Sequence, residues 1–106
     1  MITFNELLER AKSELTAIHT PTEEQAKTLL KALDEKGYIW INGVELTTET
    51  RYGNYKENTC YDFAFDFRRI LNKKVCVSPL VWFPKHDYII IEFTDIDFSE
   101  KITNYN

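Results

Sequence analysis

Leu29-Leu30-Lys31-Ala32-Leu33-Asp34-Glu35-Lys36-Gly37-Tyr38-Ile39-Trp40-Ile41-Asn42-Gly43 decides the fold, because the spacing of apolar residues changes inside it. Ala26, Leu29, Leu30 and Leu33 recur three and four apart, the period of one helical face. Gly37 suits the left-handed residue that closes a helix. From Tyr38 the apolar residues are β-branched and aromatic, as in a strand, and Asn42-Gly43 is a strong tight-turn signal. Helix precedes this point and sheet follows it.

Working toward the N-terminus, Thr20 can cap that helix, with Pro21 in its first position and Glu23 at the capping-box position. His19-Thr20-Pro21 separates it from an earlier helix, because proline disfavours helix at the residue before it. Phe4, Leu7, Leu8, Ala11, Leu15 and Ile18 form the apolar stripe of that first helix, and Thr3 with Glu6 makes its capping box.

Toward the C-terminus, strands are expected at Tyr38-Ile39-Trp40-Ile41, Val44-Glu45-Leu46, residues 59–65, Val75-Cys76-Val77 and residues 88–93. Residues 47–58 read as a long polar loop, Asn72-Lys73-Lys74 as a turn, and 79–87 as a connection tied down by Trp82 and Phe83. Residues 99–106 read as a frayed tail. The strand connections are short for helical crossovers, which predicts an α+β domain spanning 1–106. Its helical part is about 3–36 and its sheet part about 38–97. Two N-terminal helices pack on one face of a small, mostly antiparallel sheet of three to five strands.

Strict alternation places Ile39, Ile41, Tyr61, Phe63, Phe65, Val75, Val77, Ile89, Ile91 and Phe93 under the helices. The opposite face then carries Tyr38, Trp40, Cys60, Asp62, Cys76, Tyr88, Ile90 and Glu92. Two outcomes are open for that face. Left uncovered, it is a contact surface; covered by residues 47–58 or 79–87, it is a second small core.

The chain has 106 residues, 43% of them apolar and 28% charged, the mix of one ordinary globular domain. No apolar run approaches a membrane span and Met1-Ile2-Thr3-Phe4-Asn5-Glu6 is no signal peptide, so a cytoplasmic location and no membrane partner are expected. Two cysteines in such a setting are expected to be reduced. The formal net charge is −4, which argues against direct nucleic-acid binding.

Sites of chemistry are sparse. His19 and His86 show no metal-ligand spacing, and neither pairs by spacing with Cys60 or Cys76 as a nucleophile and base. Asp95, Asp97 and Glu100 lack the central glycine and twelfth-position ligand of a calcium loop. Arg68, Arg69, Lys73 and Lys74 form the one basic cluster, without the interleaved aromatics of a nucleic-acid surface. No catalytic residue, metal or cofactor is expected. The residues expected to contact a partner are Tyr38, Trp40, Tyr52, Tyr55, Asp62, Tyr88, Glu92, Asp95 and Asp97.

Gly37-Tyr38-Ile39-Trp40, Thr59-Cys60-Tyr61 and Ile91-Glu92-Phe93-Thr94-Asp95 together form a pattern that resembles small accessory proteins encoded by phages and prophages of Gram-positive bacteria. Trp82-Phe83-Pro84-Lys85-His86-Asp87 is similar to their Trp-Tyr-Lys-x-x-Gly connection, with Pro84 and Asp87 as departures. The resemblance spans residues 22–97 and leaves the first helix outside. Proteins of this setting include anti-CRISPR and other anti-defence inhibitors. The resemblance therefore implies a non-enzymatic inhibitor in the bacterial cytoplasm, binding a host defence effector such as a CRISPR nuclease through acidic and aromatic surface. It transfers no active-site residue. Two alternatives stand beside it. One is a sponge for a small nucleotide signal, with Tyr38, Trp40 and Tyr88 stacking on a base and Arg68, Arg69 or Lys73 meeting phosphate. The other is a homodimeric or structural phage protein.

Overall fold

The computed structural model describes residues 1–62 and 73–99. In chain order these form β1 (Ile2–Thr3), α1 (Phe4–Arg10), β2 (Thr16–His19), α2 (Glu23–Glu35), β3 (Ile39–Trp40), β4 (Thr59–Asp62), β5 (Lys74–Pro79), β6 (Ile89–Glu92) and β7 (Ile96–Asp97). The main sheet has the order β3-β5-β4-β2-β6, and β1 pairs with β7 in a separate two-stranded ribbon.

The α2 helix follows its sequence pattern closely. Ala26, Leu29, Leu30 and Leu33 are all buried. Burial of each leucine contributes roughly 1.5–3 kcal/mol, and such packing, more than helix propensity, stabilises a short helix. Its end is a Schellman motif: the amide of Gly37 (φ 92°) donates to the Asp34 carbonyl and that of Tyr38 to Leu33. Its start lies two residues later than expected, with Thr22 as cap and Gln25 completing the capping box. Thr20 is instead held against β4, its amide donating to the Thr59 carbonyl at 3.0 Å.

Three expectations are corrected. First, the chain is not a helical block followed by a sheet. The Thr3–Glu6 capping box starts α1 as expected, but the helix ends at Arg10. Residues 16–19 form β2, between β4 and β6 in the sheet. Ala17 and Ile18 are both buried, in different apolar clusters. A strand covered on both faces loses its alternation, so Leu15 and Ile18 matched the helical spacing equally well.

Second, the sheet is mixed. β2 runs antiparallel to β4 and parallel to β6, while β5 runs antiparallel to β4 and parallel to β3. The chain passes from β2 through α2 to the far edge at β3. It passes from β5 to β6 through nine residues with no α-helix. Three strand spacings are about 14 Å, and nine extended residues reach roughly 30 Å, so this crossover needs no helix.

Third, the alternation at β3 is shifted by one residue. Trp40 pairs with Val75 in the register, and Val75 belongs to the core under the helices. Neighbours across a ladder share a face, so Trp40 and Tyr38 lie on the helix side. Ile41 is exposed instead. Gly43 (φ 91°) closes the expected turn, its amide donating to the Trp40 carbonyl at 2.8 Å. Val44-Glu45-Leu46 forms only an isolated bridge, Ile39 to Glu45. At β4, β5 and β6 the alternation holds, with Tyr61, Val75 and Ile91 in the helix-side core, although Ile89 is exposed at the open end of its strand. Phe63, Phe65, Arg68 and Arg69 lie outside the described residues.

Candidate functional site

The face of the sheet away from the helices carries the concentration of polar and aromatic side chains. The register sets Cys76, Asp62, Ala17 and Ile90 in one row across it, and Ser78, Cys60, His19 and Glu92 in the next. The crossover from β5 to β6 lies over these rows. It is built of two short 3₁₀ turns, Leu80–Trp82 and Pro84–His86. Phe83 is buried against Ala17 and Cys60, with Leu80, Tyr88 and Ile90 around it. This face is a second small core under residues 79–87.

One polar contact ties the end of the cover to the sheet, and a second arrangement joins β2, β6 and Glu57. The Tyr88 hydroxyl donates to Asp62 Oδ2 at 2.6 Å, and Asp62 is only 2% exposed. His19 Nδ1 lies 2.8 Å from Glu92 Oε1, and its Nε2 lies 2.8 Å from the Glu57 carbonyl oxygen. His19 and Cys60 are neighbours across the ladder, with Glu92 on the other side of His19. That order resembles a nucleophile, base and orienting acid, but the chemistry does not follow. The Cys60 thiol is pushed up to about 12, first by burial and then by the Glu92 charge. The Cys76 thiol is pushed up to about 11, again chiefly by burial. A thiolate is the nucleophile, and these sites disfavour it.

The outer surface of the cover is aromatic. Trp82 stacks on His86 at 3.9 Å between centroids and meets Phe83 edge-on at 5.0 Å. The His86 Nδ1 lies 2.8 Å from the Trp82 carbonyl oxygen, which fixes the ring in that stack. Trp82 is 37% exposed and Val81 60% exposed, an apolar pair facing solvent on a braced turn. No motif in the sequence marked Val81 and Trp82 as surface; the paired 3₁₀ turns place them there.

The residues expected to contact a partner are dispersed. Trp40 is fully buried, 6.0 Å from the Tyr61 ring, with the Arg51 guanidinium 4.1 Å over its own ring. Its Nε1 has no hydrogen-bond partner among the described residues. Tyr38 is half-buried beside the same core, so Tyr38, Trp40 and Tyr88 do not form one stacking surface. Tyr52 donates to the Pro21 carbonyl at 2.5 Å, and Tyr61 to the Thr50 carbonyl at 2.6 Å, which ties residues 50–52 onto the helix-side core. Tyr55 is half-buried. Glu92 and Asp95 are exposed. Asp97 accepts from the Ser99 hydroxyl and amide, which holds its carboxyl below the ordinary range. Glu100 lies outside the described residues. Lys73 Nζ donates to the Lys36 carbonyl at 3.0 Å.

Among the described residues no group of three acidic, histidine or cysteine side chains is placed to hold a metal ion, and no helix is long and apolar enough to cross a membrane. Comparison with protein families, with curated proteins and with solved structures finds no match.

Proposed function

We propose that this chain is a non-enzymatic binding protein, an inhibitor of a bacterial defence effector of the kind its resemblance to phage and prophage accessory proteins implies. The observation that supports this reading is the exposed Val81-Trp82 pair on a turn braced by His86 and Phe83. Tryptophan is enriched among residues that dominate binding energy, and a rigid turn loses little entropy when it docks. The exposed acids Glu92 and Asp95 add a negative field suited to a partner rich in lysine and arginine.

The tagged protein should capture a nuclease or other defence effector from a Gram-positive host lysate and release it at high salt. Trp82→Ala should lower capture at least tenfold while leaving the melting curve near that of the wild type. Phage plating on hosts with and without their defence systems gives the functional readout. Failure to capture an effector, together with no rescue of plating, overturns the reading.

A further inference from the structure

We propose that residues 80–87 form a lid that opens as a unit about Pro79 and Asp87, uncovering Cys60 while the helix-side core stays folded. The lid leaves β5 at Pro79 and rejoins the sheet at β6, so both of its ends are anchored in strands. Between them the main chain bonds only locally. The Phe83 amide donates to the Leu80 carbonyl, that of His86 to Phe83, that of Asp87 to Pro84 and that of Tyr88 to Phe83. The contact of His86 Nδ1 with the Trp82 carbonyl is also internal. Among the described residues no hydrogen bond joins 80–87 to the strands beneath, so lifting the lid breaks none of its main-chain bonds.

One side chain and one bond at its edge hold the lid shut. Phe83 is 1% exposed and packs on Ala17 and Cys60, in a cluster separate from the core that contains Leu33, Trp40 and Tyr61. That floor of an alanine and a cysteine is small, so lifting Phe83 returns far less apolar surface to water than unfolding the helix-side core. At the far end the Tyr88 hydroxyl donates to Asp62 Oδ2. Asp87, where the second 3₁₀ turn meets Tyr88, has a left-handed backbone with φ 65°. Few residues other than glycine adopt that conformation, and positions at the ends of elements absorb the rotation of a moving lid. Segments secured by few buried contacts open without global unfolding. The Trp82–His86 stack lies wholly within the lid and travels with it, so the opening does not depend on what Val81 and Trp82 bind.

Cys60 is fully buried against Phe83, and its thiol reports the opening. The test is the rate at which an aromatic disulfide reagent labels Cys60 in the full-length Cys76→Ala chain, from zero urea to denaturing urea. A lid gives a rate that is flat at low urea and steepens only near the unfolding transition, because local opening exposes little surface. The flat rate should lie at least about a hundredfold below the rate in denaturant. Phe83→Leu should raise it at least about tenfold. Leu33→Ala weakens only the helix-side core, so it should lower the urea midpoint and leave the flat rate unchanged. The urea profile of the native chain, with Cys60 resolved by peptide mass spectrometry, decides the matter if a variant fails to fold. A rate that follows global unfolding down to zero urea overturns the proposal. A flat rate raised by Leu33→Ala, or labelling of the native chain as fast as in denaturant, overturns it equally.

Discussion

The Tyr88 hydroxyl donates to Asp62 Oδ2 at 2.6 Å across the strand that separates their own, joining the start of β6 to the end of β4 over Ala17. A hydrogen bond to a buried charged group is among the stronger single contacts in a small domain. Tyr88→Phe removes it while keeping the ring against Phe83. The variant should lose about 1–3 kcal/mol of unfolding free energy in urea titrations. An unchanged urea midpoint would mean that Asp62 is sustained by its other interactions alone.

Stability should fall on the alkaline side. The Cys60 and Cys76 thiols are pushed up from 9.0 to about 12 and about 11, and burial raises the Tyr61 and Tyr88 hydroxyls as well. Above the unfolded-state value the unfolded chain loses protons that the folded chain keeps. The folded state then binds more protons, so unfolding free energy decreases as pH rises. The contribution is complete below about pH 9 and, for the thiols, is lost toward about pH 11 to 12. Urea midpoints at about pH 8 and about pH 10 should show the drop, and replacing both cysteines by alanine should make it shallower. Identical midpoints in the native chain would contradict this.

The same raised thiol predicts chemical inertness at neutral pH. With its proton held up to about 12 rather than 9.0, Cys60 carries a thiolate fraction about a thousandfold below that of a free cysteine. In the folded protein Cys60 should resist an aromatic disulfide reagent, and Cys76, half-buried, should react first. Full reactivity of both should appear only in denaturant. Rapid labelling of Cys60 in the native state, read by peptide mass spectrometry, would argue against its burial.

The two tryptophans should separate fold from surface. Trp40→Ala removes a fully buried ring from the helix-side core and should cost about 3–5 kcal/mol, enough to unfold much of a marginal domain. Trp82→Ala removes a partly exposed ring and should cost below about 1.5 kcal/mol. Acrylamide quenching of the two single-tryptophan variants, made with phenylalanine, should find Trp82 accessible and Trp40 shielded. Equal stability losses for the two alanine variants would undo this division.

The tract from Thr22 to Gly43 contains the most legible part of the fold. The α2 stripe, the left-handed Gly37 and the Asn42-Gly43 turn are local events, set by side chains within a few residues of one another. The Thr3–Glu6 box is equally local. Alternation at β4 and β6 was also legible, because Tyr61 and Ile91 face a core broad enough to enforce the period of two.

Local sequence is thus sufficient for the apolar stripe and the C-terminal end of α2, for the Asn42-Gly43 turn, and for the helix-side placement of Tyr61, Val75 and Ile91. The rest belongs to the tertiary structure, and in each case the reason is a partner distant in the chain. Residues 16–19 are a strand because β4 and β6 flank them, more than forty and seventy positions away. Trp40 faces the helices because its segment pairs with Val75 of β5, more than thirty positions away. Ile2–Thr3 becomes a strand only when Ile96–Asp97 lies beside it. The second face is closed because nine residues cross it and bury Phe83, leaving Trp82 outside. Local spacing encodes a period; only the pairing of remote segments selects the face and the neighbour.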